Sequence, residues 1–475
     1  MTDTLAQPDT DAPTIDDLID RGRAAMAEVA DWSQEQIDMA VRAVAWSIYQ
    51  PDNARGLAEM AVQDTGLGNV DDKIIKNTRK TFGTLRDLLR AKTVGLIEKN
   101  DATGITRYAK PVGVVAAITP STNPAATPVN KAMMAIKGAN AVVLAPSPAG
   151  WSTTNATAEA ARAALVEIGA PADLVQVLPS PVTRDATTEL MAKADLIVAT
   201  GSQNNVRNAY SSGTPAIGVG AGNVPVIITS TADLADAATK ITRSKTFDNA
   251  TSCSSENSLI IVDDVYEAAI AALEAEGAHR TSTDEAERVR TKLFPDGHLN
   301  RNVIAKDFDI LASEFGIDAA PNARYAIVEE PEPGADFPMT GEKLSLVVSV
   351  YRASDFDDAI DVTRRVLEVQ GIGHSVGVHT ADEAQATRLA EELPVVRVLV
   401  NQAHTFGNGG SFDNGMPFTL SMGCGTWGGN SISENLNISH FINVTHLVTT
   451  IEPDEPSEEE LFGPLWATLG RGGEA

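Results

Sequence analysis

The stretch Val112-Gly113-Val114-Val115-Ala116-Ala117-Ile118-Thr119-Pro120 decides the fold class of this chain. An almost uninterrupted apolar run that stops at a polar residue and a proline is typical of a strand buried on both faces of a parallel sheet. A helical pattern follows at 128–137, and a second apolar run at 141–145 again ends at a proline. This alternation predicts a doubly wound α/β sheet, whose ligands lie beyond the carboxyl ends of the strands.

The same alternation extends in both directions from this stretch. Three amphipathic helical patterns precede it at 15–29, 33–50 and 53–66, and apolar runs follow it at 175–178 and 196–200. A second alternating region begins near residue 233, with strands predicted at 259–262, 344–351 and 374–379 and helices at 265–276, 282–293, 355–368 and 381–393. The predicted organisation is a disordered leader (1–14), a first α/β domain (15–230), a second α/β domain (231–430), a returning segment (431–451) and an acidic tail (452–475).

Composition narrows the function classes. The chain has 475 residues and a formal net charge of −27, which argues against nucleic acid or an anionic membrane as a partner. No apolar run reaches the roughly 18 residues that a membrane span requires, and residues 1–12 lack the features of a signal peptide. Two cysteines fit a reducing cytoplasm, where we expect the protein to reside. The acidic surface reflects either a saline habitat or simple solvation.

The segment Asn249-Ala250-Thr251-Ser252-Cys253-Ser254-Ser255-Glu256-Asn257-Ser258 contains one of the two cysteines. It follows a predicted helix (233–247) and precedes a predicted strand (259–262), so its thiol is expected at a turn that faces a cleft. The first amides of a short helical turn would lower the pKa of the thiol, as a nucleophile requires. The alternative is a buried small hydrophobic residue, which the small polar neighbours argue against.

The order of the polar turns along the chain carries more information about function than any single motif. No Gly-x-Gly-x-x-Gly follows the first strand, no Walker loop is present, and no His or Cys spacing suggests a metal site. Polar turns do follow the predicted strands, at 119–124, 145–148, 199–202 and 218–225. Each alone is a weak signal, but their order ahead of a cysteine near residue 250 is specific.

With these segments, the chain resembles the aldehyde dehydrogenase superfamily, in its coenzyme A-acylating branch, from about residue 15 to 446. Further similar segments are 209–213, 341–345 and the stretch Gly423-Cys424-Gly425-Thr426-Trp427-Gly428-Gly429-Asn430-Ser431. The resemblance implies two doubly wound α/β domains and a small β element for oligomerisation. A hairpin at about 98–111 and a strand at 441–449 match that element and imply a homodimer or homotetramer.

The resemblance also implies roles for individual residues. Cys253 takes the place of the nucleophile, and Asn123, with the Cys253 N–H, that of the oxyanion hole; an Asx turn before Pro124 is the alternative for Asn123. Glu342 corresponds to the carboxylate that binds the nicotinamide ribose, unless it is only a surface carboxylate. The residues expected at the cofactor are Pro120, Ser147, Thr200, Gly201, Ser202, Gly220 and Glu342.

Two departures from the family pattern affect the chemistry. Val219 stands where hydrolytic members carry a general-base Glu, so the thioester on Cys253 should persist until the thiol of coenzyme A arrives as co-substrate. Segment 145–150 has no acidic residue for the adenosine 2′-hydroxyl, and Ser147 could bond a phosphate. NADP is therefore favoured as cofactor, with NAD as the alternative.

The loop at 401–412, together with 423–435, is most similar to that of acylating sulfoacetaldehyde dehydrogenases and next to the succinate-semialdehyde group. Both aldehydes are short and anionic, so Arg243, Lys245 and His404 are candidates to bind the anionic tail; pairing of the two cations with surface carboxylates is the alternative. An acylating acetaldehyde dehydrogenase, a hydrolytic dehydrogenase and a non-catalytic structural relative remain as alternatives for the whole chain.

Overall fold

The computed structural model describes residues 12–471, which form two parallel sheets flanked by helices and one small antiparallel sheet. The helices are α1 (Ile15–Glu28), α2 (Gln34–Tyr49), α3 (Pro51–Thr65), α4 (Val70–Leu89), α5 (Ala126–Lys137), α6 (Trp151–Glu167), α7 (Arg184–Lys193), α8 (Gln203–Ser211), α9 (Leu234–Thr246), α10 (Tyr266–Ala275), α11 (Thr283–Leu293), α12 (Phe308–Phe315), α13 (Phe356–Val369), α14 (Glu383–Glu392), α15 (His404–Asn408) and α16 (Glu458–Leu469). The strands are β1 (Gly95–Asn100), β2 (Ile105–Pro111), β3 (Val114–Thr119), β4 (Ala141–Pro146), β5 (Val175–Val177), β6 (Leu196–Ala199), β7 (Ala216–Gly218), β8 (Val224–Ile228), β9 (Glu256–Val262), β10 (Ala278–Arg280), β11 (Tyr325–Glu329), β12 (Val347–Ala353), β13 (Val376–His379), β14 (Val398–Val400) and β15 (Ile442–Val448).

The first parallel sheet has the strand order β5-β4-β3-β6-β7. Every residue of β3 and β4 is buried, because helices cover both faces of the sheet. The strand order reverses between β3 and β6, so the loops after these two strands diverge and open a crevice at the carboxyl edge. The first stretch quoted above is therefore a central strand beside that crevice.

The second parallel sheet has the order β10-β11-β12-β9-β8-β13-β14. Strand β8 pairs with β9 and β13, so the chain passes into this sheet between Gly218 and Val224. The predicted boundary at 230/231 thus falls after a strand that already belongs to the second sheet. Strand β9, which carries the Cys253 segment at its amino end, is buried along its whole length.

The third sheet is antiparallel, with the order β1-β2-β15. It joins the predicted hairpin to the strand near the carboxyl end, with Ile442 opposite Pro111 and Val448 opposite Ile105. Within residues 12–471, strand β15 pairs only with β2, and its Leu447 and Val448 side chains are exposed.

Helix α4 was absent from the sequence-based assignment. Its buried face consists mainly of polar side chains, among them Lys73, Lys76, Asn77, Thr81 and Thr84. A search for apolar residues at helical spacing cannot detect a helix whose buried face is polar. The helices and strands that the sequence does predict lie within a few residues of their observed bounds. Like α4, several short elements have no counterpart among the predictions, namely α8, α12, α15, α16, β7, β8, β10, β11 and β14.

The ends of the chain differ in part from expectation. Residues 1–11 of the predicted leader and residues 472–475 of the predicted tail lie outside the described residues. The predicted acidic tail contains the helix α16, capped by the Ser457 side chain on the Glu460 N–H. Between residues 12 and 471 no helix is long and apolar enough to cross a membrane.

Candidate active site

A cavity of about 500 Å³ lies between the two parallel sheets. Its walls come from the loops after β3, β4, β6 and β7 of the first sheet and from the loops before β8, β9 and β12 of the second. The carboxyl edge of one sheet thus faces the amino edge of the other. All nine residues predicted for catalysis and cofactor binding line this cavity, namely Cys253, Asn123, Pro120, Ser147, Thr200, Gly201, Ser202, Gly220 and Glu342.

Cys253 lies in a turn directly before β9 and is partly buried. The turn passes very close to the loop before β8: a Cβ placed on Gly222 would lie 2.2 Å from the Cys253 carbonyl oxygen and 2.6 Å from its Cβ. Only a glycine can occupy that position without moving the cysteine. Among the described residues, no protein acceptor receives the Cys253 N–H, which remains available to a ligand.

The predicted low pKa of this thiol is wrong. Burial raises the pKa of Cys253 to about 12, the nearby Glu342 and Cys424 add to the increase, and a hydrogen bond with Ser254 and the charge of Arg397 oppose it. The sequence predicted a helical turn whose amides would stabilise a thiolate, whereas the thiol lies in a turn at a cavity wall, where desolvation disfavours the charged form. The free enzyme therefore holds a thiol at neutral pH.

The backbone before the cysteine is strained. Asp248, Asn249 and Ala250 have φ values of 48°, 53° and 61°, in the left-handed region that costs a non-glycine residue about 1 kcal/mol or more. Asn249 is held by its Nδ2, which donates to Asp307 Oδ1 at 2.7 Å. Such strain persists only where surrounding contacts enforce it, so the position of the Cys253 turn is determined by its neighbours.

Helix α4 supplies most of those contacts through Asp248. The Asp248 carboxylate is fully buried and pairs with Lys73 Nζ at 3.0 Å and with Lys76 Nζ at 2.5 Å. It also accepts from the Asn69 N–H at 3.0 Å and from Thr251 Oγ1 at 2.8 Å. The two lysines lower the pKa of Asp248 against the effect of its burial. This ion-pair cluster fastens the strained turn to α4.

Asn123 is held by the same helix. Lys76 Nζ donates to Asn123 Oδ1 at 3.0 Å, which directs the amide NH₂ away from the lysine. That NH₂ makes one long hydrogen bond, to Thr122 Oγ1 at 3.3 Å. Since Asn123 and Cys253 line one cavity, the amide NH₂ and the Cys253 N–H are suited to bind a single oxyanion.

The opposite side of the cavity has features of a nucleotide site. Ser202 caps α8 by accepting from the Asn205 N–H at 3.3 Å, and residues 201–203 line the cavity at this helix start. A helix amino terminus with Gly201 beside it suits a pyrophosphate. Thr200 Oγ1 is hydrogen bonded to Ser421 Oγ at 2.6 Å, which ties the loop after β6 to the second domain.

Glu342 has the environment expected of a residue that binds a ligand hydroxyl. Its Oε1 is buried without a hydrogen-bond partner among the described residues. Burial raises the pKa of Glu342 to about 8, although Lys245 and Lys343 lower it. An orphaned carboxyl oxygen at a cavity wall fits a ribose hydroxyl, and together with the α8 terminus it makes the residues present compatible with a dinucleotide.

The three residues predicted to bind an anionic tail do not line the cavity. Arg243 is exposed and stacks on Phe406, with its Cζ 4.4 Å from the ring centre. Lys245 is fully buried and donates to the Glu256 carbonyl at 2.8 Å, and burial lowers its pKa to about 7. Lys245 is therefore occupied within the protein, whereas Arg243 adjoins the cavity only through Phe406, which lines it.

His404 is likewise buried behind the cavity wall. Its Nδ1 donates to the Ser254 carbonyl at 3.0 Å, its backbone N–H donates to Glu256 Oε1 at 3.2 Å, and burial lowers its pKa to about 3. The imidazole is therefore neutral. The prediction for all three residues rested on nearness in sequence to the site, whereas α9 and α15 direct these side chains elsewhere.

The cations that do line the cavity come from α4 and were missed by the sequence analysis. They are Lys76, Arg79 and Lys80. The signal was present, because lysines at 73, 76 and 80 with an arginine at 79 recur at helical spacing within a strongly acidic protein. A search for clustered charge at helical spacing would have found them.

Comparisons with known proteins give a consistent result. The profile of the aldehyde dehydrogenase family matches residues 3–293. The acylating sulfoacetaldehyde dehydrogenase of Cupriavidus necator is 51% identical over 456 residues, covering 96% of this chain and 92% of that protein. That of Bilophila wadsworthia is 44% identical over 463 residues, covering 96% and 100%. The crystal structure of an acetylating aldehyde dehydrogenase from Geobacillus thermoglucosidasius aligns with a TM-score of 0.90 at 35% identity, covering 93% of this chain and 98% of that one.

Proposed function

This chain belongs to the aldehyde dehydrogenase family, and on that premise we propose that it oxidises sulfoacetaldehyde to sulfoacetyl-coenzyme A, with NADP as cofactor. The observation that carries the proposal is the composition of one cavity. It holds a cysteine, an amide and an available backbone N–H suited to acyl transfer, but a valine where a water-activating carboxylate would stand.

In the proposed reaction, the Cys253 thiol loses its proton to solvent and its Sγ attacks the aldehyde carbon. The Asn123 amide and the Cys253 N–H stabilise the resulting oxyanion, and each such donor is worth about 3 kcal/mol of transition-state stabilisation. Lys76 holds Asn123 by its oxygen, so that the donor end of the amide points to the reacting atom. Glu342 and the amino terminus of α8 would hold a bound NADP, which would supply the hydride acceptor that thioester formation on Cys253 requires.

Transfer to coenzyme A rather than to water follows from the lining of the cavity. Val219 is almost completely buried there and offers no proton acceptor. Glu342 is the single carboxyl among the described lining residues, and its pKa of about 8 leaves it largely protonated at neutral pH. Without a base to activate water, the acyl group stays on Cys253 Sγ until the thiol of coenzyme A displaces it.

The choice of NADP rests on the loop after β4. Ser147 lines the cavity, and residues 145–150 contain no carboxylate that would bind a 2′-hydroxyl or repel a 2′-phosphate. The hydroxyl of Ser147 suits a phosphate oxygen. The choice of sulfoacetaldehyde rests on the two relatives named above and on the cationic wall of the cavity.

We further propose that the protein forms a homodimer or homotetramer through the antiparallel sheet. The free edge of β15 and its exposed apolar side chains, including Leu447 and Val448, favour strand pairing with a second copy. Light scattering coupled to gel filtration tests this proposal, and a monomer at micromolar concentration would refute it.

The deciding experiment follows NADP reduction by absorbance with sulfoacetaldehyde, succinate semialdehyde and acetaldehyde, each with and without coenzyme A. The proposal expects strict dependence on coenzyme A and the highest kcat/KM for sulfoacetaldehyde. Steady turnover without coenzyme A would contradict the acyl-transfer assignment. A higher kcat/KM for succinate semialdehyde would contradict the assignment of sulfoacetaldehyde as the substrate. The same assay with NAD in place of NADP compares the two cofactors. Cys253→Ala serves as the blank.

A further inference from the structure

Helix α4 places three cationic side chains at the cavity, but their hydrogen bonds differ. Lys76 Nζ has a protein partner for each of its three N–H groups: Asp248 Oδ2, Thr251 Oγ1 and Asn123 Oδ1. It therefore has no donor left for a substrate. Its role is confined to holding Asp248 and Asn123.

Lys80 is one residue beyond Arg79 on the same helix and has donors to spare. Its Nζ donates to the Gly409 carbonyl at 2.7 Å, and no carboxylate among the described residues lies within ion-pair distance. A Cβ placed on Gly409 would lie 2.7 Å from this nitrogen, so the glycine permits the lysine's position. Two of the three N–H groups of Lys80 are left for a ligand.

Arg79 is similarly without an ion-pair partner in the described part of the chain. Its Nη2 donates to Ser411 Oγ at 2.9 Å, and its Cζ lies 5.8, 5.1 and 5.7 Å from the ring centres of Phe406, Phe412 and Phe418. The aromatic side chains hold the guanidinium in place while leaving most of its N–H groups unused.

A hydroxyl group lies in the wall that these cations share. Thr405 lines the cavity, is buried, and its Oγ1 has no hydrogen-bond partner among the described residues. Other buried hydroxyls in the described residues also lack a partner, but that of Thr405 lies at the cavity wall, where a ligand atom can complete it. Arg79, Lys80 and Thr405 line the same cavity as Cys253, and Thr405 directly precedes Phe406, whose ring centre lies 5.8 Å from Arg79 Cζ.

We infer that Arg79, Lys80 and Thr405 form the site that binds the sulfonate of the substrate. This inference rests on the proposed function and names the residues that select the substrate. The sulfonate has three oxygen atoms that accept hydrogen bonds, and an ammonium, a guanidinium and a hydroxyl offer one donor group for each. The protein has a net charge of −27, yet Lys80 has no carboxylate within ion-pair distance in the described residues, and Arg79 interacts with Asp413 only at longer range, so a bound anion explains these two cations at the cavity.

Phosphate groups of the cofactor or of coenzyme A share this chemistry. The α8 amino terminus and Ser147 lie on the walls contributed by the first sheet, whereas Lys80 and Arg79 adjoin Thr405 and Phe406 of α15. The substrate sulfonate is therefore favoured over a cofactor phosphate, and the experiment separates these sources by measuring each KM.

The test compares Lys80→Met and Arg79→Met with Arg86→Met as the matched control. Arg86 is on the same helix and lies over Phe412 and Phe418, but it does not line this cavity. For each of the first two variants, the ratio of kcat/KM for sulfoacetaldehyde to that for acetaldehyde should fall about 10- to 100-fold, through KM for sulfoacetaldehyde. Lys80→Arg, which keeps the charge, should restore part of the ratio, and KM for NADP and for coenzyme A should stay the same.

Binding is measured separately from turnover, with ethanesulfonate as an unreactive probe that slows alkylation of Cys253 by iodoacetamide. Protection in the wild type that is lost in Lys80→Met supports the site even if sulfoacetaldehyde is not the substrate. An equal loss of kcat/KM for both aldehydes, or an increase in KM for NADP or coenzyme A alone, overturns the inference. A third outcome is that the wild type turns over sulfoacetaldehyde and the folded variants keep the same ratio of kcat/KM for sulfoacetaldehyde to that for acetaldehyde. This outcome overturns the inference but is compatible with the proposed function.

Discussion

The ammonium of Lys76 lies 3.0 Å from Asn123 Oδ1 and donates a hydrogen bond to it, while the same nitrogen is ion-paired with Asp248. One side chain thus joins the predicted oxyanion-hole amide to the strained turn before Cys253. Because a lysine can only donate, it also decides which end of the Asn123 amide faces the cavity. The donor geometry of the site therefore depends on a helix residue that precedes Asn123 by 47 residues and Asp248 by 172.

The substitution Lys76→Met should lower kcat for sulfoacetaldehyde about 10- to 100-fold, because the amide loses the contact that orients its NH₂; deleting an oxyanion donor outright costs about 10²–10³-fold. Asn123→Ala should cost at least as much, and Lys76→Met should add little to it. A double-mutant cycle in kcat checks this coupling, and additive effects would contradict it.

The matched control is Lys73→Met. Lys73 pairs with the same Asp248 carboxylate but donates to the Thr122 carbonyl at 3.1 Å rather than to Asn123. Both variants should lose about 1–3 kcal/mol of unfolding free energy, measured by denaturant titration, because a buried carboxylate loses one cation. If Lys76 positions Asn123, then kcat must fall more in Lys76→Met than in Lys73→Met.

The reactivity of Cys253 should increase steadily with pH. Since burial raises the pKa of its thiol to about 12, the thiolate fraction of the free enzyme grows about tenfold for each pH unit between 7 and 10. The rate of carbamidomethylation by iodoacetamide, followed by mass spectrometry, measures this, with fully buried Cys424 as the internal control. A plateau near pH 8 would show that the thiol ionises far more readily than its surroundings imply.

Gly222→Ala should abolish most of the activity while the fold persists. The added methyl group would lie 2.6 Å from Cys253 Cβ, so the cysteine turn must move. Gly56→Ala is the control, because nothing lies within 4 Å of its added Cβ inside α3, and it should stabilise the protein by about 0.5–1 kcal/mol. Turnover and thermal melting of both variants provide the comparison.

Val219→Glu should introduce turnover that does not need coenzyme A. The new carboxylate would line the cavity beside Cys253 and activate water, and a positioned base contributes about 10²–10⁴-fold to such a step. NADP reduction without coenzyme A, and sulfoacetate detected by mass spectrometry, are the measurements. Val219→Gln has the same shape without the base, so activity in that variant would exclude base catalysis as the cause.

The affinity for sulfoacetaldehyde should weaken above neutral pH. Burial, with Arg79 and Lys76 nearby, lowers the pKa of Lys80 to about 7, and Cys253 faces it as a neutral thiol. Lys80 is charged below about pH 7 and loses its proton above, whereas the bound sulfonate requires the charged form. KM for sulfoacetaldehyde should therefore be constant below pH 7 and rise up to pH 9. KM for acetaldehyde, which has no anionic group, should not follow this rise.

Much of the fold was predictable from local patterns. The runs that became β3, β4 and β9 are apolar because helices cover both faces of their sheets, and proline or polar residues end them. The family resemblance and the α/β fold predicted from the sequence are confirmed. Helix α4 was not predictable by apolar periodicity, because its buried residues include Lys73 and Lys76, which are buried only through Asp248.

The sequence by itself determined the buried strands, because their positions follow from local hydrophobicity. Its resemblance to the aldehyde dehydrogenase family predicted that Cys253, Asn123, Val219 and Glu342 belong to one site. Only the tertiary structure decided which cations face the cavity and that the Cys253 thiol has a raised pKa. The direction of the cations and the pKa of Cys253 both depend on the packing of α4 against the turn before Cys253. Because α4 and this turn are far apart in the chain, no local stretch of sequence specifies that packing or the desolvation that it causes.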